Sequence, residues 1–471
     1  MTVQEGTAGL STAAASAPTT GSYATYALGF LVVVYTFNFI DRALVGVLNE
    51  PIALAFRATD FQMGLLGGPA FAILYTLLGL PIARLAERFN RVMIIGVSLA
   101  LWSIMTALCG MAGQIDPAVH VAVYLLLLAP AAFIFIRQRM WVSVVLVLIA
   151  AGASATIPIL ANGVDFNLLG RSIAIDPVFG PVTLATFGLL LMSRIGVGIG
   201  EAGCSPPSHS LISDYFASER RASALSVYAL GIPIGSMLSA VSGGWLAQNV
   251  DWRAAFVWLG LPGVVLAVLF ALTVKEPPRR NAEHTEAPGF TTVLRRIGAK
   301  WTFWNVAIGG AVTSFVGYGV GQFLVSFFMR THGFNAFEAS LYFGVILGGA
   351  AAVGTFLGGY ACDRLAPRSP TSYAWVPGLA LVISAPLYVI GFYSPSVLVL
   401  LAALVPGAIL HYLYLGPMFG VTQGLVEPRM RATASALLLL IVNLIGFALG
   451  PPAIGALSDL LAGMQFSSSG A

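Results

Sequence analysis

The chain is written in long apolar stretches, each about as long as a bilayer is thick, joined by short polar connections. A helix that crosses a bilayer needs about 20 mostly apolar residues. Stretches of this kind fall at 24–48, 62–83, 92–113, 119–136, 141–161, 183–213, 222–247, 253–274, 302–328, 337–361, 374–393, 396–424 and 432–461. The pattern predicts about thirteen spans and an all-α polytopic membrane protein, since a helix satisfies its own backbone in lipid. The stretches 183–213 and 432–461 exceed one perpendicular crossing and are expected to tilt or to continue beyond the bilayer. Pro233, Pro262, Pro406 and Pro417 lie inside spans, where a bent helix is tolerated if its backbone lines a cavity.

The connections carry the orientation. Basic residues fill alternate ones: Arg84, Arg88 and Arg91; Arg137 and Arg139; Arg220 and Arg221; Lys275 to Lys300; Arg364 and Arg368; Arg429 and Arg431. The intervening connections hold only Arg57, Arg171, Arg253 and Arg330, with acids such as Asp60, Asp116, Asp165, Asp176 and Asp251. Positive charge stays inside, so the N-terminus is expected in the cytoplasm and the protein in the cell membrane. Residues 1–23 are rich in Ala, Ser and Thr and lack Lys and Arg. They do not read as a signal peptide and are expected to form a disordered cytoplasmic tail.

Residues 275–300 are the single long polar stretch within the membrane region, a cytoplasmic linker between an N-terminal helical bundle (24–274) and a C-terminal one (301–471). The halves repeat each other. Ala83 to Arg91 recurs as Gly359 to Arg368, an offset of 359 − 83 = 276. Later, Arg221-Ala-Ser-Ala and Arg431-Ala-Thr-Ala each open a glycine-rich span, offset 431 − 221 = 210. The difference of 66 residues matches 115–181, which reads as an inserted transmembrane hairpin with its tip at Arg137-Gln138-Arg139. By the same spacing, the partner of span 253–274 falls near 463–484, so the second half is expected to be incomplete by one span.

Composition agrees with a lipid solvent. Hydrophobic residues make up 58% and charged residues 9% of the chain, against about 25% charged in soluble domains. The net charge of +4 belongs to topology-setting clusters, so no nucleic-acid partner is expected. Cys109, Cys204 and Cys362 are odd in number and widely spaced, which gives neither a disulfide framework nor a metal site. An enzyme is not expected. Ser208, His209 and Asp214 offer a superficial triad, but adjacent residues on a helix diverge by about 100°. No phosphate loop, nucleophile elbow or zinc helix motif is present, and no cofactor is called for.

Two related halves, a central linker and a twice-repeated acid–Arg loop resemble the major facilitator superfamily. That family's loop reads Gly-x-x-x-Asp-Arg-x-Gly-Arg-Arg. The first copy here has Ala83, Glu87, Arg88, Asn90 and Arg91, and the second keeps Gly359, Asp363 and Arg364, so both are degenerate. Asn38-Phe-Ile-Asp41-Arg42, Arg194 to Glu201 with its alternating glycines, and Pro207 through Ser213-Asp214-Tyr-Phe to Arg221 narrow the match. Together they are similar to the Spinster family of lipid and sphingolipid transporters; the anion:cation symporters share much of the pattern. The resemblance implies a secondary transporter working by alternating access, with Glu87, Arg88, Arg91, Asp363 and Arg364 as a cytoplasmic gate.

The chemistry is concentrated in the first half. Asn38, Asp41 and Arg42 share one helix face, and Arg194 and Glu201 lie two turns apart on another. Counted from their span ends, Asp41 sits about 22 Å and Arg194 about 17 Å deep, so the two can approach. Ionisable groups inside a bilayer cost roughly 2.5–3.5 kcal/mol each even on the lenient scale, and four of them point to a shared interior cavity. A static salt-bridge network is one reading. The functional one has Asp41 and Glu201 exchanging protons while Arg42 and Arg194 attract an anion, since a change of charged neighbour moves a proton. The second half offers Tyr318, Gln322, Tyr412 and Asn443 amid apolar residues, with His411 its one mid-membrane ionisable group. A cavity charged on one wall and aromatic on the other suits an anionic amphiphile, lysolipid-like or sphingoid-phosphate-like. Asn38 and those four polar residues join the arginines as expected substrate contacts. Small organic anions are the alternative cargo, and a transporter-like sensor or inactive remnant the alternative of another class. The expected partners are the substrate, protons and membrane lipids, with the protein a monomer.

Overall fold

The computed structural model describes residues 22–137, 164–168, 171–175, 184–278, 290–427 and 430–468. In chain order the helices are α1 (Ser22–Val47), the short α2 (Asn49–Phe56), α3 (Asp60–Arg88), α4 (Arg91–Gly110), α5 (Pro117–Arg137), α6 (Thr186–Tyr215), α7 (Ser223–Asn249) and α8 (Trp252–Thr273). They continue with the amphipathic α9 (Phe290–Gly298), then α10 (Trp301–His332), α11 (Ala336–Leu365), α12 (Ser372–Tyr393), α13 (Val397–Gly424) and α14 (Thr433–Ala462). Among the described residues, 11 of these helices are long and apolar enough to cross a membrane.

These account for all but two of the expected spans. The stretch 119–136 becomes α5, whose described apolar part is Pro117–Pro130. The stretch 141–161, the tip of the expected hairpin, most of the N-terminal tail and the middle of the linker lie outside the described residues. The expectation of helix alone is corrected within 115–181, where β1 (Val164–Leu168) pairs antiparallel with β2 (Arg171–Ile175), Val164 opposite Ile175 and Leu168 opposite Arg171. In β1, Val164, Phe166 and Leu168 alternate with Asp165 and Asn167, a period of two that a search for span-length apolar runs passes over.

The internal repeat extends to local backbone structure. Capping boxes open α3 (Thr59 with Gln62) and α11 (Asn335 with Glu338). Their offset, 335 − 59 = 276, is that of the acid–Arg loops. In each box a short polar side chain satisfies a first-turn N–H that lipid cannot. Helix α6 is interrupted after Glu201 and resumes at Ser205; α13 is interrupted after Tyr412 and resumes at Leu415. The restarts are 415 − 205 = 210 residues apart, the second offset. Pro206, Pro207 and Pro417 sit in the first turn of the resumed segments, where a missing N–H costs least.

In the first half α4 packs on α8 and α6, and α1 on α7; in the second, α12 packs on α13 and α10 on α14. Two seams join the halves, α3 against α14 and α7 against α11. The first is close backbone contact. A side chain at Gly64 would strike the backbone of Pro451 and Pro452, and one at Gly455 that of Asp60. At this end Asp459 of α14 accepts from the backbone N–H groups of Asp60 (3.0 Å) and Phe61 (2.9 Å). A carboxylate from the second half thus caps the positive N-terminus of a first-half helix. This end of the molecule is called the Arg330 face below, and the opposite end the Arg91 face.

Candidate functional site

Arg91 and Arg194 are among the largest fully buried side chains. A buried guanidinium is tolerated only with partners, so each marks a designed polar site.

Arg194 belongs to the centre, where α1, α3, α4 and α6 bring the sequence-predicted first-half residues together. Arg42 Nε donates to Glu201 Oε2 at 2.7 Å, and the Glu201 side chain is 0% exposed. Arg194 Nη1 donates to the Asp41 backbone carbonyl at 3.2 Å. The carboxylate of Asp41 has Glu201 and Arg194 as charged neighbours and Thr106 beside it, but its Oδ1 has no hydrogen-bond partner. Asn38 faces Glu201, yet neither of its amide atoms completes a hydrogen bond. Arg42 Nη2, Arg194 Nε and Glu201 Oε1 are also buried and unpartnered. Buried polar atoms are nearly always satisfied, so this concentration of open valences leaves hydrogen bonds here for water or another molecule to complete.

Aromatic rings shape the site. The Arg42 guanidinium lies 4.2 Å from the Tyr75 ring centre, 4.9 Å from Phe39 and 5.2 Å from Phe71; Arg194 lies 4.7 Å from Phe71. The faces of these rings partly replace the water the cations lose. The rings continue across the molecule: Phe71 stacks on Tyr75 (5.2 Å) and meets Phe447 of α14 (5.4 Å), which stacks on Tyr318 of α10 (4.2 Å). Tyr318 is 40% exposed despite its place midway along α10, so it borders open space between the halves. Asn443 opens a wide π-type turn, Asn443–Phe447, that carries Phe447. Such turns recur at functional sites.

The remaining second-half residues divide. Tyr412 is half-buried beside His411. Gln322 is buried elsewhere, donating to Asn49 Oδ1 at 2.6 Å in the sealed contact toward the Arg330 face. Its amide joins α10 to the residues between α1 and α3 and does not face the charged centre.

On the Arg91 face the acid–Arg loops behave differently from one another. Arg91 donates to Asp214 (2.5 Å) and Ser210 (2.7 Å) in the first half and to Glu276 (2.6 Å) at the start of the linker. Glu87 and Arg88 are exposed, Asp363 accepts from Tyr373 (2.6 Å), and Arg364 donates to Tyr360 (2.7 Å). Among the described residues none of these five reaches the opposite half. Arg91 instead clamps the ends of α6 and α8 to α4. Arg91→Ala leaves two carboxylates without their cation and is expected to cost about 3 kcal/mol or more of stability. The detergent-solubilised protein should then melt several degrees lower; an unchanged midpoint counts against the clamp.

The Arg330 face is latched. Arg330 Nε donates to Glu50 (2.8 Å), and Nη1 and Nη2 donate to the two oxygens of Asp60 (2.8 and 2.9 Å), from the end of α10 into the first half. Ser458 of α14 donates to Asp60 Oδ2 at 2.6 Å. Charge alternation alone assigned Arg330 and Asp60 to topology, and nothing in their spacing signals this cluster.

A latched Arg330 face, an Arg91 face on which none of the five described acid–Arg residues reaches the opposite half, and a central charged site in the first of two related helical halves form a carrier architecture. The family model described as Major Facilitator Superfamily matches residues 168–451. The chain belongs to the major facilitator superfamily. It is therefore a multi-pass secondary transporter, from a family of transporters and not of enzymes. Among solved structures, a bacterial homologue of the human lysosomal transporter Spinster, in an inward-facing and unoccupied conformation, is 34% identical with a TM-score of 0.74; the match covers 95% of this chain and 85% of that one. An MFS-type efflux pump of Mycolicibacterium smegmatis is 29% identical over 439 residues, 92% of this chain and 84% of the pump. Human spinster homolog 1 is 29% identical over 310 residues, 58% of this chain and 56% of that protein. This Spinster-like facilitator thus spans little more than half the length of that relative.

Proposed function

We propose that the protein carries an anionic amphiphile, lysolipid-like or sphingoid-phosphate-like, by proton-coupled alternating access, with the anion on Arg42 and protons on Glu201 and Asp41. The observation that carries this reading is the half-used guanidinium of Arg42: Nε is held by Glu201, Nη2 is buried without a partner, and three aromatic rings surround it. The rings suit the apolar part of an amphiphile next to its charged head.

Charge balance supports the coupling. Asp41, Glu201, Arg42 and Arg194 sum to zero when all are ionised. An anion that takes the open Nη2 of Arg42 shares one guanidinium with the Glu201 carboxylate, and two anions on one buried cation are expensive. A proton on Glu201 removes that cost, so proton and anion load together and the site stays neutral. The alternation of basic connections supports a cytoplasmic Arg91 face and N-terminus. The latched Arg330 face then corresponds to a conformation open to the cytoplasm, and rocking of 24–274 against 301–471 would open the other side.

The test is flux of a lysophospholipid or sphingoid-phosphate tracer in proteoliposomes with and without a pH gradient, in the parent and in Glu201→Gln. A gradient should accelerate the parent and leave Glu201→Gln unaffected. Equal rates in both proteins, with and without the gradient, would make Glu201 structural and the carrier a facilitator.

A further inference from the structure

The charged centre of the first half has a counterpart position in the second, and different groups occupy it. The offset of 276 that relates Thr59 to Asn335 carries Asp41 to Gly317 and Arg42 to Tyr318. The offset of 210 that relates the restarts of α6 and α13 carries Glu201 to His411. Two separate numberings converge on one place, because these counterparts touch. A Cβ built on Gly317 would lie 3.1 Å from His411 Nε2 and 3.4 Å from the Tyr412 hydroxyl oxygen. Where the first half sets a carboxylate, the second sets a hydrogen atom, and an imidazole and a phenol converge on the space over it.

Three further observations make this a site. His411 is 4% exposed and its Nε2 has no hydrogen-bond partner. Helix α13 is interrupted directly after Tyr412, as helices in transporters are where backbone lines a binding cavity. The aromatic run from Arg42 ends on Tyr318, the residue after Gly317. Ser314 and Tyr414 bond each other at 2.7 Å and are engaged, so His411 and Tyr412 are the groups left to act.

We infer that His411 and Tyr412 hold an uncharged hydroxyl of the substrate over Gly317 while its anion rests on Arg42; this builds on the anionic-amphiphile reading above and narrows it to hydroxylated amphiphiles. A hydroxyl both donates and accepts, so it satisfies the imidazole in either tautomer and the phenol at the same time. It also supplies the partner that buried Nε2 lacks, which an alkyl group in the same place cannot. The glycerol hydroxyl of a lysophosphatidate and the hydroxyl of a sphingoid phosphate both meet the requirement.

The test compares binding of 1-acyl-glycerol 3-phosphate and its 2-deoxy counterpart to the purified full chain in nanodiscs, for the parent, Gly317→Ala and His411→Leu. The parent should prefer the hydroxyl compound by on the order of tenfold, the worth of a good neutral hydrogen bond. The methyl of Gly317→Ala fills the space beside Nε2, and in both variants the preference should shrink to about twofold or less. The ratio is read from protein that still binds the deoxy compound, and either variant suffices. Equal binding of the two compounds by the parent, or a preference retained in the variants, overturns the hydroxyl site and leaves the amphiphile reading standing. Binding of neither compound by folded parent protein overturns both.

Discussion

Replacing Arg42 with leucine is expected to reduce substrate flux by on the order of a hundredfold, while Glu201→Gln tightens anion binding at alkaline pH and abolishes stimulation by a pH gradient. The two partners of one 2.7 Å ion pair thus give opposite results. Arg42→Leu removes the charge on which the anion rests. A charge-assisted hydrogen bond contributes about 1.5–3 kcal/mol, and each 1.4 kcal/mol is tenfold in affinity. It also takes from buried Glu201 its hydrogen-bonded cation, leaving Arg194 as its charged neighbour, at a cost of about 3 kcal/mol unless the carboxyl takes a proton. Glu201→Gln removes the internal competitor instead. Arg42 is then open to the anion at every pH, and proton loading no longer matters. Equilibrium binding across pH and gradient-driven flux separate the cases. Similar losses in both variants would return the pair to a purely structural role.

Arg330→Ala is expected to shift the balance of conformations toward one open at the Arg330 face. Three hydrogen bonds to Glu50 and Asp60 are lost at once, and they exist only while α10 sits against α2 and α3. Arg330 is 42% exposed on its side chain, so water screens the pairs, and about 2 kcal/mol in all is a fair expectation. That corresponds to roughly thirtyfold in the ratio of states. Spin labels at Leu54 and Leu460, both exposed near this face, would report a longer distance population in the variant. The α3–α14 contact at Gly64 and Gly455 and the Asp459 cap are untouched, so the shift should be partial. An unchanged distribution would mean that the glycine seam alone closes this face.

The helical architecture was legible because a bilayer leaves so few solutions: apolar length gives the spans. The two offsets were legible for the same reason that the fold repeats. They reappear in the capping boxes at Thr59 and Asn335 and in the helix breaks near Ser205 and Leu415, features that local side-chain chemistry dictates. Pairing was harder to read. Depth arithmetic brought Asp41 toward Arg194, yet Arg194 grips the Asp41 backbone while Arg42 takes Glu201. Adjacent residues of one helix, such as Asp41 and Arg42, are separated by about 100° of rotation, which depth does not encode. Arg91, expected in a gate, is held in this conformation by Asp214 and Glu276, which come from two helix ends distant in sequence. Gln322 looked like a polar cavity residue and joins the seal near the Arg330 face. Phe71, Tyr75 and Phe447, which enclose the guanidinium or lead away from it, were invisible among other apolar residues, since an aromatic ring that lines a cavity and one that faces lipid read alike.

The central claim is that a proton on Glu201 releases Arg42 to the substrate anion. Proton uptake during substrate binding, measured calorimetrically in buffers of different ionisation enthalpy, tests it most directly. The account predicts uptake of about one proton per anion bound by the parent near neutral pH, with affinity falling as pH rises, and no uptake at that site by Glu201→Gln. Binding without proton uptake in the parent, or the same uptake in Glu201→Gln, would contradict it.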